Sequence, residues 1–173
     1  MEKYIPDIYQ KSIYTIDYEK LKERGIRCIL FDLDNTLSPV GIKKATDKLK
    51  NFMKELKDKN FQVVIFSNSP GRRVQPFAEE LDVDAVSFAC KPYRGKFEAL
   101  MRQLKLQVSE VAIIGDQLLT DIAGGNQVGI TTVLVNPIST HDGILTKCNR
   151  KREERIMRKL RKRDLFMRGK YYE

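Results

Sequence analysis

The sequence of 173 residues contains no run of about 18 apolar residues, the length needed to span a bilayer. Its opening stretch, MEKYIPDIYQKSIYTIDYEK, lacks the basic-then-apolar order of a secretory signal, so a cytoplasmic protein is expected. Cysteine is scarce. Cys28, Cys90 and Cys148 are odd in number, far apart and without CxxC spacing, which argues against both a disulfide framework and a zinc site. They read as reduced, structural residues. His141 is the only histidine and lies past the last apolar run, so it is assigned no catalytic role. Internal repeats and low-complexity tracts are also lacking.

Charge is plentiful but uneven. The formal net charge is +9, from 32 Lys/Arg against 23 Asp/Glu. Residues 147–173 hold 12 of those cations and 4 of the acids, a net of +8, which leaves 20 against 19 for residues 1–146. The expected organisation is therefore a nearly neutral body over 1–146, with an N-terminal lead-in, and a basic helical tail over 147–173. Such a tail suits an anionic partner, a membrane surface or RNA, and equally suits packing back on the body.

Short apolar runs rich in Val, Ile and Phe recur at Cys28–Phe31, Phe61–Phe66, Val83–Ala89, Val111–Ile114 and Ile130–Val135. They are continuous rather than alternating, as strands buried on both faces must be. Between them, Leu49, Phe52, Met53 and Leu56 follow the i, i+3, i+4, i+7 spacing of a helix, as do Phe97, Leu100, Met101 and Leu104. This alternation predicts a three-layer α/β fold with about five parallel strands and right-handed crossovers. Residues 1–24 are expected to be helical or irregular, Pro137–Gly143 an exit loop, and Arg150–Arg168 a helix with Ile156, Met157, Leu160 and Met167 on one side. Gly124, Gly125 and Gly129 follow a helical pattern rather than open one, and are read as its C-terminal turn.

Open α/β sheets bind ligands beyond the carboxyl ends of their strands, so the residues that close each apolar run are the candidates. The first run closes as FDLDNT, the second as FSNSPG, the third as ACKPYRG and the fourth as IIGDQLLTD. Asp32 and Asp34 are two residues apart, which on an extended backbone sends both side chains to one side. One carboxylate can attack phosphorus, and its neighbour can protonate the leaving alcohol and later deprotonate water. A divalent cation would offset their repulsion, and an all-oxygen ligand set favours magnesium over zinc. Ser67, Asn68 and Lys91 offer hydrogen bonds and positive charge for phosphoryl oxygens.

The DxDNT of Asp32 to Thr36, the strand-closing Ser67, Lys91 before proline and the GDxxxxD of Gly115 to Asp121 resemble, in order, the four motifs of the haloacid-dehalogenase superfamily. The resemblance covers roughly residues 26–136. It implies Asp32 as nucleophile, Asp34 as acid/base, and Ser67 and Lys91 as phosphate-binding residues, with Asn68 a further candidate beside them. It also implies a Mg2+ site of Asp32, the backbone carbonyl of Asp34, and Asp116, with Asp121 orienting Lys91 or a metal-bound water.

Only about ten residues separate Asp34 from the first helical pattern, and Ser67 to Lys91 has room for one helix and one strand, so no large cap domain is expected. An uncapped site leaves closure to the substrate. Arg72, Arg73, Tyr93 and Arg94 lie beside the motifs and could read a second anionic group. The chain resembles the small bacterial subfamily IIIA phosphatases of the YqeG type, themselves similar to mitochondrial-type phosphatidylglycerophosphate phosphatases. That resemblance implies removal of the terminal phosphate from phosphatidylglycerophosphate by a cytoplasmic protein working peripherally at the inner membrane surface. Alternatives are a phosphatase for soluble or macromolecular esters, an RNA- or ribosome-associated binding protein with incidental activity, and a receiver-type signalling module. A receiver places its phosphorylated Asp on a different strand from its acidic pair, whereas here both acids share one strand.

Overall fold

Strands that are apolar at consecutive positions need cover on both faces, and the chain provides it with two helical layers. The computed structural model describes residues 1–139 and 144–173, the side chains of 144–149 apart. Among the described residues the sheet has six strands: β1 (Ile8–Gln10), β2 (Cys28–Phe31), β3 (Gln62–Phe66), β4 (Asp84–Val86), β5 (Val111–Gly115) and β6 (Thr131–Val135). All pair in parallel, in the order β1-β6-β5-β2-β3-β4. The helices are α1 (Tyr18–Glu23), α2 (Asp47–Asp58), α3 (Gly71–Leu81), α4 (Arg94–Leu104), α5 (Ala123–Val128) and α6 (Ile144–Lys162). His141 and the end of the expected exit loop lie outside the described residues.

Side chains alternate across β2 as strand geometry requires. Ile29 and Phe31 join the core under α2 and α3, with Leu49, Phe52, Met53, Val74 and Phe77. Cys28 and Leu30 join the opposite core under α4 and α5, with Phe97, Leu100, Met101 and Val128. Both predicted helical stripes therefore face the sheet.

Four expectations need correction. The lead-in supplies a sixth strand, β1, which at three residues is too short to show any periodicity; β6 and the Tyr9–Tyr172 bridge hold it in place. Helix α6 starts and stops earlier than Arg150–Arg168, and the chain then turns so that Phe166, not Met167, is buried. Gly124 and Gly125 lie inside α5, not at its end. A Cβ on Gly125 would meet Thr132 Cγ2 at 2.5 Å and Ile113 Cγ2 at 2.7 Å, so this position lets the helix press against β5 and β6. Gly129 alone caps that helix, with φ of 83°. Finally, Cys28 is buried but Cys90 is exposed, so the latter is not a core residue.

The basic tail packs on the body. Leu160 and Phe166 are buried with Tyr9, Leu118, Ile122 and Leu134 in a third apolar cluster. Tyr9 and Tyr172 exchange backbone hydrogen bonds of 2.8 and 2.9 Å, covering the outer edge of β1. Among the described residues no helix is long and apolar enough to cross a membrane. The functional consequence of the sheet order lies at β2 and β5. Connections leave these neighbours toward opposite edges, which opens a crevice at their carboxyl ends.

Candidate active site

Asp32 directly follows β2, and its amide still donates to Ile114 O at 2.9 Å, so the strand ladder fixes where its carboxylate stands. Asp116 directly follows β5 on the other side of the crevice. Lys91 reaches in from beyond β4. Its Nζ donates to Asp32 Oδ1 and Asp121 Oδ1, each at 2.7 Å, and to Phe66 O at 2.8 Å. Asp121 sits in the wide helical turn Leu118–Ile122 and also accepts from Gln117 N–H at 3.1 Å. Gly115 permits this approach, since a Cβ there would lie 2.2 Å from Asp121 Cγ.

Two carboxylates, Asp32 and Asp121, thus share one ammonium, and Asp116 stands beside them. Asp32, Asp116 and Asp121 can each present an oxygen within 4.8 Å of the others, and all three are buried. Burial, then the neighbouring Asp121, pushes Asp32 up to about 7 against the pull of Lys91. Asp116 is raised well above the usual carboxylate range, by burial first and then by Asp32 and Asp121. Lys91 is raised too: burial opposes its charge, but Asp121 and Asp32 outweigh burial. The ammonium is therefore charged, and the excess of acid falls on Asp32 and Asp116.

Asp116 Oδ1 accepts from Thr36 Oγ1 at 3.4 Å, whereas its buried Oδ2 has no hydrogen-bond partner among the described residues. Arg150 of α6 stands 3.8 Å from that oxygen. An orphaned buried carboxylate oxygen among crowded acids, all of them hard oxygen donors, fits a divalent cation of the magnesium type.

The carboxylate of Asp34 stands apart from this cluster. It accepts from Ser69 Oγ at 2.5 Å, and its Oδ1 accepts from Arg73 Nε at 3.0 Å and Nη2 at 2.8 Å. Arg73 also bonds Ile42 O and Pro39 O and lies over the Phe77 ring. The loop after β2 is thereby strapped to α3. The side chain of Asp34 is partly exposed, at 24%, so it can meet a leaving group from the solvent side. Ser67 is buried, and its Oγ accepts from Ser69 N–H at 3.1 Å, which leaves the hydroxyl proton to donate. The Asn68 amide is committed to the Lys91 backbone, accepting from its N–H at 2.7 Å and donating to its carbonyl at 3.0 Å. Asn68 thus positions the lysine.

Sequence reasoning missed four participants. Ser69 and Arg73 hold Asp34, and Arg73, expected to read a substrate anion, is spent on that task. Thr36 was visible in DxDNT but given no partner. Glu153, buried in α6, accepts from Leu119 N–H at 3.3 Å and ties the tail to the turn that carries Asp121. The signal for it was an acidic pair, Glu153 and Glu154, inside a cationic helix.

A family model described as mitochondrial PGP phosphatase matches residues 1–139. The chain belongs to this family. Its members are phosphatases of the haloacid-dehalogenase class, and so is this protein. "Probable phosphatase YqeG" of Bacillus subtilis is 40% identical over 160 residues, 92% of this chain and 93% of that one. Phosphatidylglycerophosphate phosphatase 1 of Arabidopsis thaliana is 28% identical over 144 residues, covering 78% of this chain but 41% of the plant protein. A subfamily IIIA hydrolase of Legionella pneumophila superposes with a TM-score of 0.53 at 25% identity, over 70% of this chain and 72% of its own. The fold is shared by a 3-deoxy-D-manno-octulosonate 8-phosphate phosphatase of Moraxella catarrhalis, solved with magnesium and phosphate. Its TM-score is 0.52 at 18% identity, over 70% of this chain and 75% of its own.

Proposed function

We propose that this family member is a magnesium-dependent phosphomonoesterase that works through an aspartyl-phosphate on Asp32 and takes phosphatidylglycerophosphate as substrate. One observation carries the reading. Asp32 is held by Lys91 at the crevice between β2 and β5, beside an Asp116 oxygen that no hydrogen bond among the described residues satisfies. Asp32, Asp116 and the backbone carbonyl of Asp34 would hold the ion, with Asp121 behind Lys91. When bound, the cation offsets the repulsion among these acids and the negative charge of the phosphoryl group. The substrate assignment is supported by the match to the mitochondrial PGP phosphatase family and by the Arabidopsis thaliana relative, and the choice of magnesium by the oxygen-only donors.

The chain's own residues then divide the work. Asp32 Oδ2, the oxygen not bonded to Lys91, forms a bond to phosphorus as the bond to the ester oxygen breaks. Asp34 gives that oxygen a proton, and the alcohol leaves. Water next attacks phosphorus, Asp34 takes its proton, and the bond to Asp32 breaks to release phosphate. Lys91 and Ser67 hold the equatorial oxygens while charge shifts onto them. The strap from Arg73 and Ser69 keeps Asp34 in position through both steps. The protein acts from the water side, peripherally at the membrane surface, where its lipid substrate supplies the closure that the missing cap does not.

The deciding experiment measures magnesium-dependent phosphate release from phosphatidylglycerophosphate in mixed vesicles, beside a panel of soluble phosphomonoesters, for the wild type and Asp32→Asn. The lipid is expected to react about a hundredfold better than the panel, because remote binding energy contributes to the transition state. Asp32→Asn abolishes release from every substrate. Activity confined to soluble esters would discard the lipid, and no release from any ester would discard the mechanism.

A further inference from the structure

Helix α6 and the chain that turns back beneath it enclose a groove of about 660 Å³, within the usual range for ligand sites of about 300–1,000 Å³. Its walls carry Arg150, Arg158, Arg161 and Arg168. The opposing acids are Glu153, which is buried and bonded to Leu119 N–H, and Glu154. Arginine is thus in twofold excess over acid. Met157 and Met167 give apolar surface, and buried Phe166 forms the base. Arg150, one of its lining residues, stands 3.8 Å from Asp116 Oδ2, so the groove lies beside the catalytic crevice. Of the other hollows, those beside Gln62 and beside Arg27 lie at the amino ends of the strands. In the latter, Arg27 and Lys59 already pair with Glu110 and Glu19.

We propose that this groove is the substrate's second subsite, in which arginines bind the diester phosphate of an anionic glycerophospholipid while the Met157 and Met167 side chains take the first carbons of its acyl chains. The proposal rests on the phosphatase reading above and extends it from the reacting phosphate to the rest of the ligand. Guanidinium groups present forked donors that match phosphate oxygens, and an apolar base beside them suits a ligand that is anionic at one point and hydrocarbon at the next. Single-stranded RNA would need aromatic faces for its bases. Phe166 is only 4% exposed and packs on Tyr9, with ring centroids 5.2 Å apart, so that platform is closed.

The test uses the full chain and dihexanoyl-phosphatidylglycerol below its micelle concentration, a probe with the diester phosphate and acyl stubs but no phosphomonoester. Arg158 and Arg161 are exposed, so Arg158→Gln/Arg161→Gln leaves folding intact. Arg152→Gln/Arg155→Gln removes the same charge from α6 outside the groove. By calorimetry the wild type and the Arg152/Arg155 variant bind the probe alike, and the Arg158/Arg161 variant binds about tenfold or more weakly, the loss expected for two charged hydrogen bonds. KM for dihexanoyl-phosphatidylglycerophosphate rises by a similar factor in that variant alone. Three results overturn the subsite: no binding of the monomeric probe, equal losses in both variants, or displacement of the probe by a mixed-sequence oligonucleotide. Lipid binding with no phosphate release from any ester would instead sink the phosphatase reading and spare the groove.

Discussion

Lys91 is bonded at once to two buried carboxylates and a backbone carbonyl, and removing one partner from a buried ion network costs more than the network contributes. Lys91→Met is therefore expected to lower stability by about 3–5 kcal/mol, read by urea unfolding, and to abolish phosphate release. Added magnesium recovers part of the lost stability, because a cation again faces Asp32. Lysine 91 was legible in the sequence because it follows an apolar run and precedes proline, as Ser67, Asp32 and Asp116 were legible at the ends of theirs. The partnership of Arg73 with Asp34 was not. It depends on where the loop after β2 falls against α3, and no spacing encodes that contact.

Among the elements, α6 and the chain after it repay attention. Their charge reads as a solvated tail, yet Phe166 fills a cluster with Tyr9, Leu118, Ile122, Leu134 and Leu160. Phe166→Ala leaves a cavity in that cluster and is expected to cost about 3–5 kcal/mol. Limited proteolysis checks the cause: the variant should be cut first after the arginines of α6, whereas cleavage spread over the body would mean general unfolding. Five strands were readable as short apolar runs, although the run Val83–Ala89 is strand only over Asp84–Val86, and two helices were readable from their i, i+3, i+4, i+7 spacing. β1 was not, because Ile8–Gln10 is no apolar run and the strand exists through its partners at β6 and Tyr172. The bounds of α6 were missed because cations on every face hide where an apolar stripe stops.

At the scale of the whole molecule, the crowded acids make stability depend on pH and metal together. Unfolded, Asp32 titrates near 3.8; in the metal-free fold it titrates at about 7. Between those values the native state keeps a proton that the unfolded chain has released, so raising pH through this window destabilises the fold. Asp116 and Glu153, also raised, act in the same direction. The lowered carboxyls Glu19 and Glu110 oppose them from the surface, where pairs contribute little. With chelator present, the melting temperature should be higher at pH 5 than at pH 7.5, and the gain on adding magnesium should grow with pH as the ligands deprotonate. A melting temperature that is flat with pH in chelator would refute the crowding.

The bridge between Tyr9 and Tyr172 joins residues from opposite ends of the sequence, and pairings so distant close late in folding because the whole intervening chain must first be ordered. On the ribosome the core can assemble while β1 still lacks its cover, so the nascent protein passes through a stage with a bare sheet edge next to an arginine-rich segment. Until Tyr172 is in place, β1 presents unpaired backbone groups, and a bare edge of this kind invites pairing between copies of the unfinished chain.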